Sequence, residues 1–223
     1  MHFSLSLSIT LISMIFLLNP INTFDVSKLK AASTTDQIMI VSSNNPDSSY
    51  ATFYYYLKDT TGNWKEYIKA EAHIGKSGLG KTKEGDNKTP IGQFKFTKYF
   101  GVADNPGTSV PYIKLDDSMY WNCDSKSNRY NQMVYTDFYN DFDKSVSEHL
   151  ITETTAYKYA MNINYNEEGI PYKGSAIFFH CFTKNPYTAG CVAVSEETII
   201  NVYKKINQNC IIIIDIEDNI YNY

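Results

Sequence analysis

Ser175-Ala-Ile-Phe-Phe-His-Cys-Phe-Thr-Lys-Asn-Pro-Tyr-Thr-Ala-Gly-Cys-Val-Ala-Val194 decides the reading of this chain. An apolar run ends in His180, a polar loop follows, and Thr188-Ala189-Gly190-Cys191 opens a second apolar run. The pattern predicts strand, loop, strand, with an acid–base residue closing the first strand and a thiol opening the second. An imidazole near a thiol can take its proton and leave a thiolate, the form of cysteine that attacks carbonyl carbon. Gly190 before the thiol allows a tight turn, in which its amide and that of Cys191 can approach a carbonyl oxygen as an oxyanion hole. Cys191 is the candidate nucleophile and His180 the candidate base.

A second element lies upstream, Gly85-Asp86-Asn87-Lys88-Thr89-Pro90-Ile91-Gly92-Gln93-Phe94. Together the two segments resemble the L,D-transpeptidase catalytic domain family, the YkuD-like cysteine enzymes of bacterial cell walls. In that family a histidine precedes a Ser/Thr-x-Gly-Cys element, and a Gly-Asp-x-x-Thr-Pro-x-Gly-x-Phe element lies before it. The resemblance covers roughly residues 37–215. It implies a mainly β, sandwich-like or β-rich domain with one or two short helices. It also implies a Cys191 nucleophile, a His180 base oriented by the main-chain carbonyl of Cys181, and an oxyanion and substrate-binding wall at Gly190 and Thr188. The implied donor is a peptidoglycan stem tetrapeptide, cut after the L-centre of its diamino acid to form a 3-3 cross-link through a thioester. Hydrolysis in place of transfer would make the protein an L,D-carboxypeptidase or endopeptidase. Carbapenem acylation is implied as well, and a monomer needing no cofactor and no metal is expected. The chain departs from the commonest motif in its shorter His-to-Cys insertion, in Ala189 and in Ala193, so it reads as the short Thr-Ala-Gly-Cys form, and those two positions transfer nothing.

Composition supports a single domain. With 223 residues, 43% hydrophobic and 20% charged, the chain can bury one sizeable core. A net charge of -4 and a single arginine, Arg129, oppose a nucleic-acid partner, whose phosphates need a basic face. Ser4 to Leu18 is mostly apolar, Pro20 breaks it, and Ala31-Ala32-Ser33 offers small residues for cleavage. Residues 1–32 therefore read as a signal peptide or N-terminal anchor, and 33–223 as the catalytic domain. The expected location is extracytoplasmic, secreted to the cell wall, with membrane anchoring if the segment is not cleaved. In such a compartment Cys123, Cys181, Cys191 and Cys210 could instead pair as two disulfides, giving a non-catalytic, stapled wall-binding module. A zinc site from His180, Cys181 and Cys191 lacks a clear fourth ligand.

The rest of the chain reads mostly as strands: Gln37 to Val41, Ala51 to Lys58, Trp64 to Ile74, Phe94 to Phe100, Tyr157 to Tyr165 and Ile211 to Ile216. A short helix is expected from Ser147 to Thr155, and a clearer one, capped by Ser195, from Glu196 to about Asn207. Phe53-Tyr54-Tyr55-Tyr56 reads as sheet packing, and His73 and His149 as ordinary structural histidines. Gly75-Lys-Ser-Gly-Leu-Gly-Lys-Thr82 matches the phosphate-loop string. A phosphate cradle needs a helix to start there, and Gly85, Asp86, Asn87 and Pro90 cannot propagate one, so no nucleotide is expected and the glycines read as a surface turn. A sortase would need an arginine after the cysteine, and a papain-like enzyme a histidine after it; neither is present.

Overall fold

The computed structural model describes residues 23–223; the apolar Ser4–Leu18 segment and Pro20 lie outside the described residues. In chain order the strands are Gln37–Ser43 (β1), Tyr50–Lys58 (β2), Trp64–His73 (β3), Gly92–Gly101 (β4), Tyr112–Lys114 (β5), Met119–Asn122 (β6), Gln132–Tyr135 (β7), Glu148–His149 (β8), Ala160–Ile163 (β9), Phe178–Cys181 (β10), Val192–Val194 (β11) and Ile211–Ile216 (β12). One α-helix, Glu196–Tyr203 (α1), lies between β11 and β12. This is the mainly β class expected from the sequence.

The large sheet runs β12-β1-β2-β3-β11-β10-β9-β4-β5, and β12 also pairs with β4. All of its strands except β5 therefore form a closed ring, which leaves no long open edge. The isoleucine run of β12 is central, pairing parallel with β1 and antiparallel with β4. Alternation along the strands divides the core in two. Met39, Val41, Phe53, Tyr55, Phe179, Cys181, Val192, Val194, Ile212 and Ile214 pack together with Ile199, Val202 and Tyr203 of α1. The alternate residues Ile38, Ile40, Tyr54, Tyr56, Ile211 and Ile213 form a second cluster on the other face. With both faces covered, β1 and β12 read as continuous apolar runs rather than alternating ones. The aromatic run from Phe53 to Tyr56 is buried as packing.

Three local expectations are corrected. Ser147 to Thr155 is not an α-helix. The Ser147 hydroxyl donates to Asp143 O at 2.8 Å and accepts from Cys123 N at 3.1 Å, so it caps nothing. Glu148 and His149 instead pair with β6, and Leu150–Thr152 is one 3-10 turn. The strand expected from Tyr157 is shortened to Ala160–Ile163 because Ala156–Lys158 forms another such turn. Helix α1 does begin at a Ser195 cap, with Glu196 and Glu197 in its first turn. It stops at Tyr203, short of Asn207, whose amide is taken by Gln37 Oε1 at 2.9 Å.

A small sheet, β7-β6-β8, lies apart from the ring. Its Trp121 packs edge-on against Phe178 of β10, with ring centroids 4.8 Å apart. Trp121, Phe100, Tyr157, Phe178 and Cys191 belong to one apolar cluster, which joins this sheet to the strands expected to carry the chemistry.

The segment before residue 33 packs against the domain. Ala31 and Ala32, the expected cleavage zone, are buried in a 3-10 turn with Phe24, Val26 and Leu29 against the second cluster. Lys30 N donates to Tyr223 O at 2.5 Å, and Asp25 N to the Tyr221 hydroxyl at 3.0 Å, tying this segment to the last residues. The folded unit thus includes residues before 33. A chain starting at Thr34 instead of Thr23 strips three large apolar side chains from the cluster and should lose on the order of 5 kcal/mol. Urea unfolding measures this directly, and an unchanged midpoint would contradict the packing role.

Candidate active site

Strands β10 and β11 are parallel neighbours with Phe179 opposite Val192 and His180 opposite Ala193. The side-chain period of two then puts Phe178 and His180, and Cys191 and Ala193, on one face. Phe179, Cys181, Val192 and Val194 turn to the other face, into the main core. His180 and Cys191 both line one cavity of about 420 Å³, whose wall also includes Cys123 after β6 and Glu148 of β8. They are 6% and 8% exposed, so the groups expected to react sit in a nearly dry wall.

The ring of His180 has a defined proton. Nδ1 lies 2.8 Å from the carbonyl oxygen of Cys181, which can only accept, so Nδ1 carries the hydrogen and Nε2 is left basic. Burial pushes the imidazole down to about 4, opposed by that bond to Cys181. Burial pushes the Cys191 thiol up to about 12; the carboxylate of Glu148 adds to the rise, while the Phe178 amide and Lys81 oppose it. The cavity therefore holds a neutral thiol and a neutral imidazole at rest. The thiol donates to Ala176 O at 3.2 Å and accepts from Phe178 N at 3.3 Å. Ala176 reaches that position with φ of 54°, a left-handed conformation that is strained for alanine. Its amide donates to Asn131 Oδ1 at 3.0 Å, which also accepts from Trp121 Nε1 at 2.9 Å, so the small sheet fixes the thiol's acceptor.

The turn before the thiol is held by two threonines. Thr188 Oγ1 donates to Cys191 O at 2.7 Å and accepts from Gly190 N at 3.0 Å. Thr89, fully buried in the Thr-Pro-x-Gly element, donates to the same carbonyl at 3.2 Å and accepts from Gly75 N at 2.8 Å. The two sequence elements thus meet at the carbonyl of Cys191. Gly190 has φ of 149°, and a Cβ there would stand 2.8 Å from Lys88 O, so only glycine fits without displacement. Of the expected oxyanion pair, the Gly190 amide donates to Thr188 Oγ1 in this structure.

Several wall residues carried no sequence signal for the site. Glu148 accepts a hydrogen bond from the hydroxyl of Tyr157, whose ring stands edge-on to His180 at 5.7 Å. Glu84 accepts from the hydroxyls of Tyr130 and Ser175. Cys123 lines the same cavity, its thiol pushed up to about 12, chiefly by burial. Lys81, expected in a surface turn, is buried against Asp86 in the cavity wall, and no helix follows it. His73 pairs with Glu71 and stacks on Phe182, and His149 stacks on Tyr120; neither lines the cavity. All four cysteines are free thiols, and Cys181 and Cys191 point to opposite faces of their strands, so the disulfide staple has no bridge here. Among the described residues no group of three or more His, Cys, Asp or Glu side chains could hold a metal ion.

Burial pushes Glu148 up to about 7, the bond from Tyr157 opposing it. Its folded value is above the unfolded one, so the stability it confers is full below the unfolded carboxyl range and fades as pH rises through about 7. Glu148→Gln should therefore gain thermal stability relative to the unmodified chain between pH 5 and 8. Tm against pH for both proteins tests this, and parallel curves would contradict it.

The family described as YkuD, L,D-transpeptidase catalytic domain, matches residues 38–214. Among solved structures, the helical cell shape determining protein Pgp2 (K307A mutant) from Campylobacter jejuni is 16% identical, with a TM-score of 0.42 over 82% of this chain and 48% of that one. L,D-transpeptidase 1 of Mycobacterium tuberculosis is 12% identical, with a TM-score of 0.37 over 81% of this chain and 61% of that one. An L,D-transpeptidase from Mycobacterium smegmatis is also 12% identical, with a TM-score of 0.36 over 81% and 58%. The chain thus spans about half to three-fifths of the length of these proteins. No curated protein is matched by the sequence. With the family model covering most of its length, the chain belongs to the YkuD family of L,D-transpeptidase catalytic domains.

Proposed function

We propose that this protein is a cysteine acyltransferase of peptidoglycan stem peptides, with Cys191 as nucleophile and His180 as base, working outside the cytoplasm at the cell wall. The observation that carries the reading is the His180 ring, held by its Nδ1–H on the Cys181 carbonyl so that Nε2 is the basic nitrogen beside the thiol's cavity. In the first half-reaction the Cys191 thiol leaves its bonds with Ala176 and Phe178 and gives its proton to Nε2. Sulfur attacks the donor carbonyl, and the Cys191 amide holds the oxyanion. The carbon–nitrogen bond then breaks, and the imidazolium protonates the departing amine, leaving a thioester. In the second half an acceptor amine attacks the thioester, gives its proton to Nε2, and releases the Cys191 sulfur to be reprotonated. On the donor stem tetrapeptide the first half releases D-alanine from the L-centre of the diamino acid, and the second makes a 3-3 cross-link. Thr188 and Thr89 support the mechanism by fixing the nucleophile's own carbonyl.

Intact mass tests this reading after incubation with purified stem tetrapeptide, and separately with a carbapenem. The unmodified protein should gain a covalent adduct or yield a cross-linked dimer, and Cys191→Ala should give neither, a loss of at least about 10³-fold. A tripeptide product without dimer would make the activity hydrolytic. A folded protein with no adduct and no product would overturn the enzyme reading.

A further inference from the structure

We propose that Lys81 is a positioning residue for the nucleophile: its buried ammonium, held by Asp86 beside Gly190, stabilises the negative charge that develops on Cys191 Sγ. This rests on Cys191 being the attacking group.

Burying a lysine is costly unless it is paired, and a purely structural ion pair could sit at the surface at little cost. Here the fold clears a path for it. Lys81 Nζ lies 2.9 Å from Asp86 Oδ1, with the two side chains 2% and 8% exposed. At Gly174, φ of 124°, an added Cβ would stand 2.5 Å from Lys81 Cε. At Gly190 it would stand 3.5 Å from Nζ. The stem therefore passes beside two residues without side chains and delivers its charge next to the turn that carries the thiol.

That charge is not fully cancelled. Asp86 also accepts from the amides of Thr82 and Lys83 through Oδ2 and from that of Lys88 through Oδ1, so its negative charge is shared among four donors. Burial raises its carboxyl, but the bonds from Lys81 and these amides outweigh it and hold Asp86 at about 2, so it stays ionised. The other titratable groups lining the cavity are His180 on β10, Glu148 on β8, Cys123 after β6, Tyr157, Tyr187 and Glu84. The two carboxylates oppose a thiolate, and Lys81 is the one lysine or arginine lining the cavity among the described residues. An ammonium has three donors, and among the described residues Asp86 Oδ1 is the one hydrogen-bond acceptor of Nζ, so two remain to follow charge as it builds on sulfur.

The test is the rate of iodoacetamide alkylation at Cys191 against pH, followed by peptide mass so that Cys123 is scored separately. Alkylation reads thiolate and needs no turnover, so its failure is separable from a failure of acyl transfer. Lys81→Met should slow alkylation at pH 7.5 about tenfold, the effect of one unit in the thiol's titration. Asp86→Asn, which leaves the ammonium unpaired, should speed it. Lys81→Arg should keep the rate, and the neutral pair Lys81→Met with Asp86→Asn should be as slow as Lys81→Met alone while leaving no buried charge to hinder folding. An unchanged rate in Lys81→Met and in the neutral pair would overturn the inference. So would equal slowing in Lys81→Met and Asp86→Asn, which marks a merely structural strut.

Discussion

The site depends on the parallel pairing of β10 with β11. Their register, Phe179 to Val192 and His180 to Ala193, sends both His180 and Cys191 to the cavity. Sliding either strand by one residue would turn the imidazole or the thiol into the core and expose an apolar neighbour. What prevents the slip is the opposite face, where Phe179, Cys181, Val192 and Val194 are all buried beneath α1 and the inner faces of β1, β2 and β12. Closure of the sheet through β12 and β4 makes that packing continuous. The proposed site is therefore held by hydrophobic registration on the far side of the strands that bear it.

The second constraint is burial of His180 and Cys191. Desolvation favours the neutral form of each, and the separation between about 4 for His180 and about 12 for Cys191 leaves little resting ion pair. Burial and the bond it donates to Ala176 O keep the thiol protonated, while the Phe178 amide works the other way. Glu148 works against a thiolate at Cys191 and Lys81 for it, so the charge state of the wall bears on the proposed proton transfer to Nε2.

Much of this was legible in the sequence, for identifiable reasons. The β-branched and aromatic runs of β1, β2, β3 and β12 have strong strand signals because both their faces are covered or their alternation is regular. The Thr188-to-Cys191 element and the Thr89–Pro90 element stand out because turn chemistry and a nucleophile demand particular residues. The small sheet was invisible because β6, β7 and β8 are too short to show a period, and Ser147 looks like a helix cap until its partners at Asp143 and Cys123 are known. Lys81 was missed because a run of glycines around a lysine reads as an exposed turn. Its burial comes from contacts with Asp86 and with residues far along the chain, Gly174 and Gly190.

The most direct test is the protonation state of His180 in the resting protein, read from its ring nitrogens by ¹⁵N NMR across a pH series. A neutral imidazole with its proton on Nδ1, unchanged from pH 8 down to about 5, is the predicted result. An imidazolium at neutral pH, or a neutral ring with its proton on Nε2, would contradict the account.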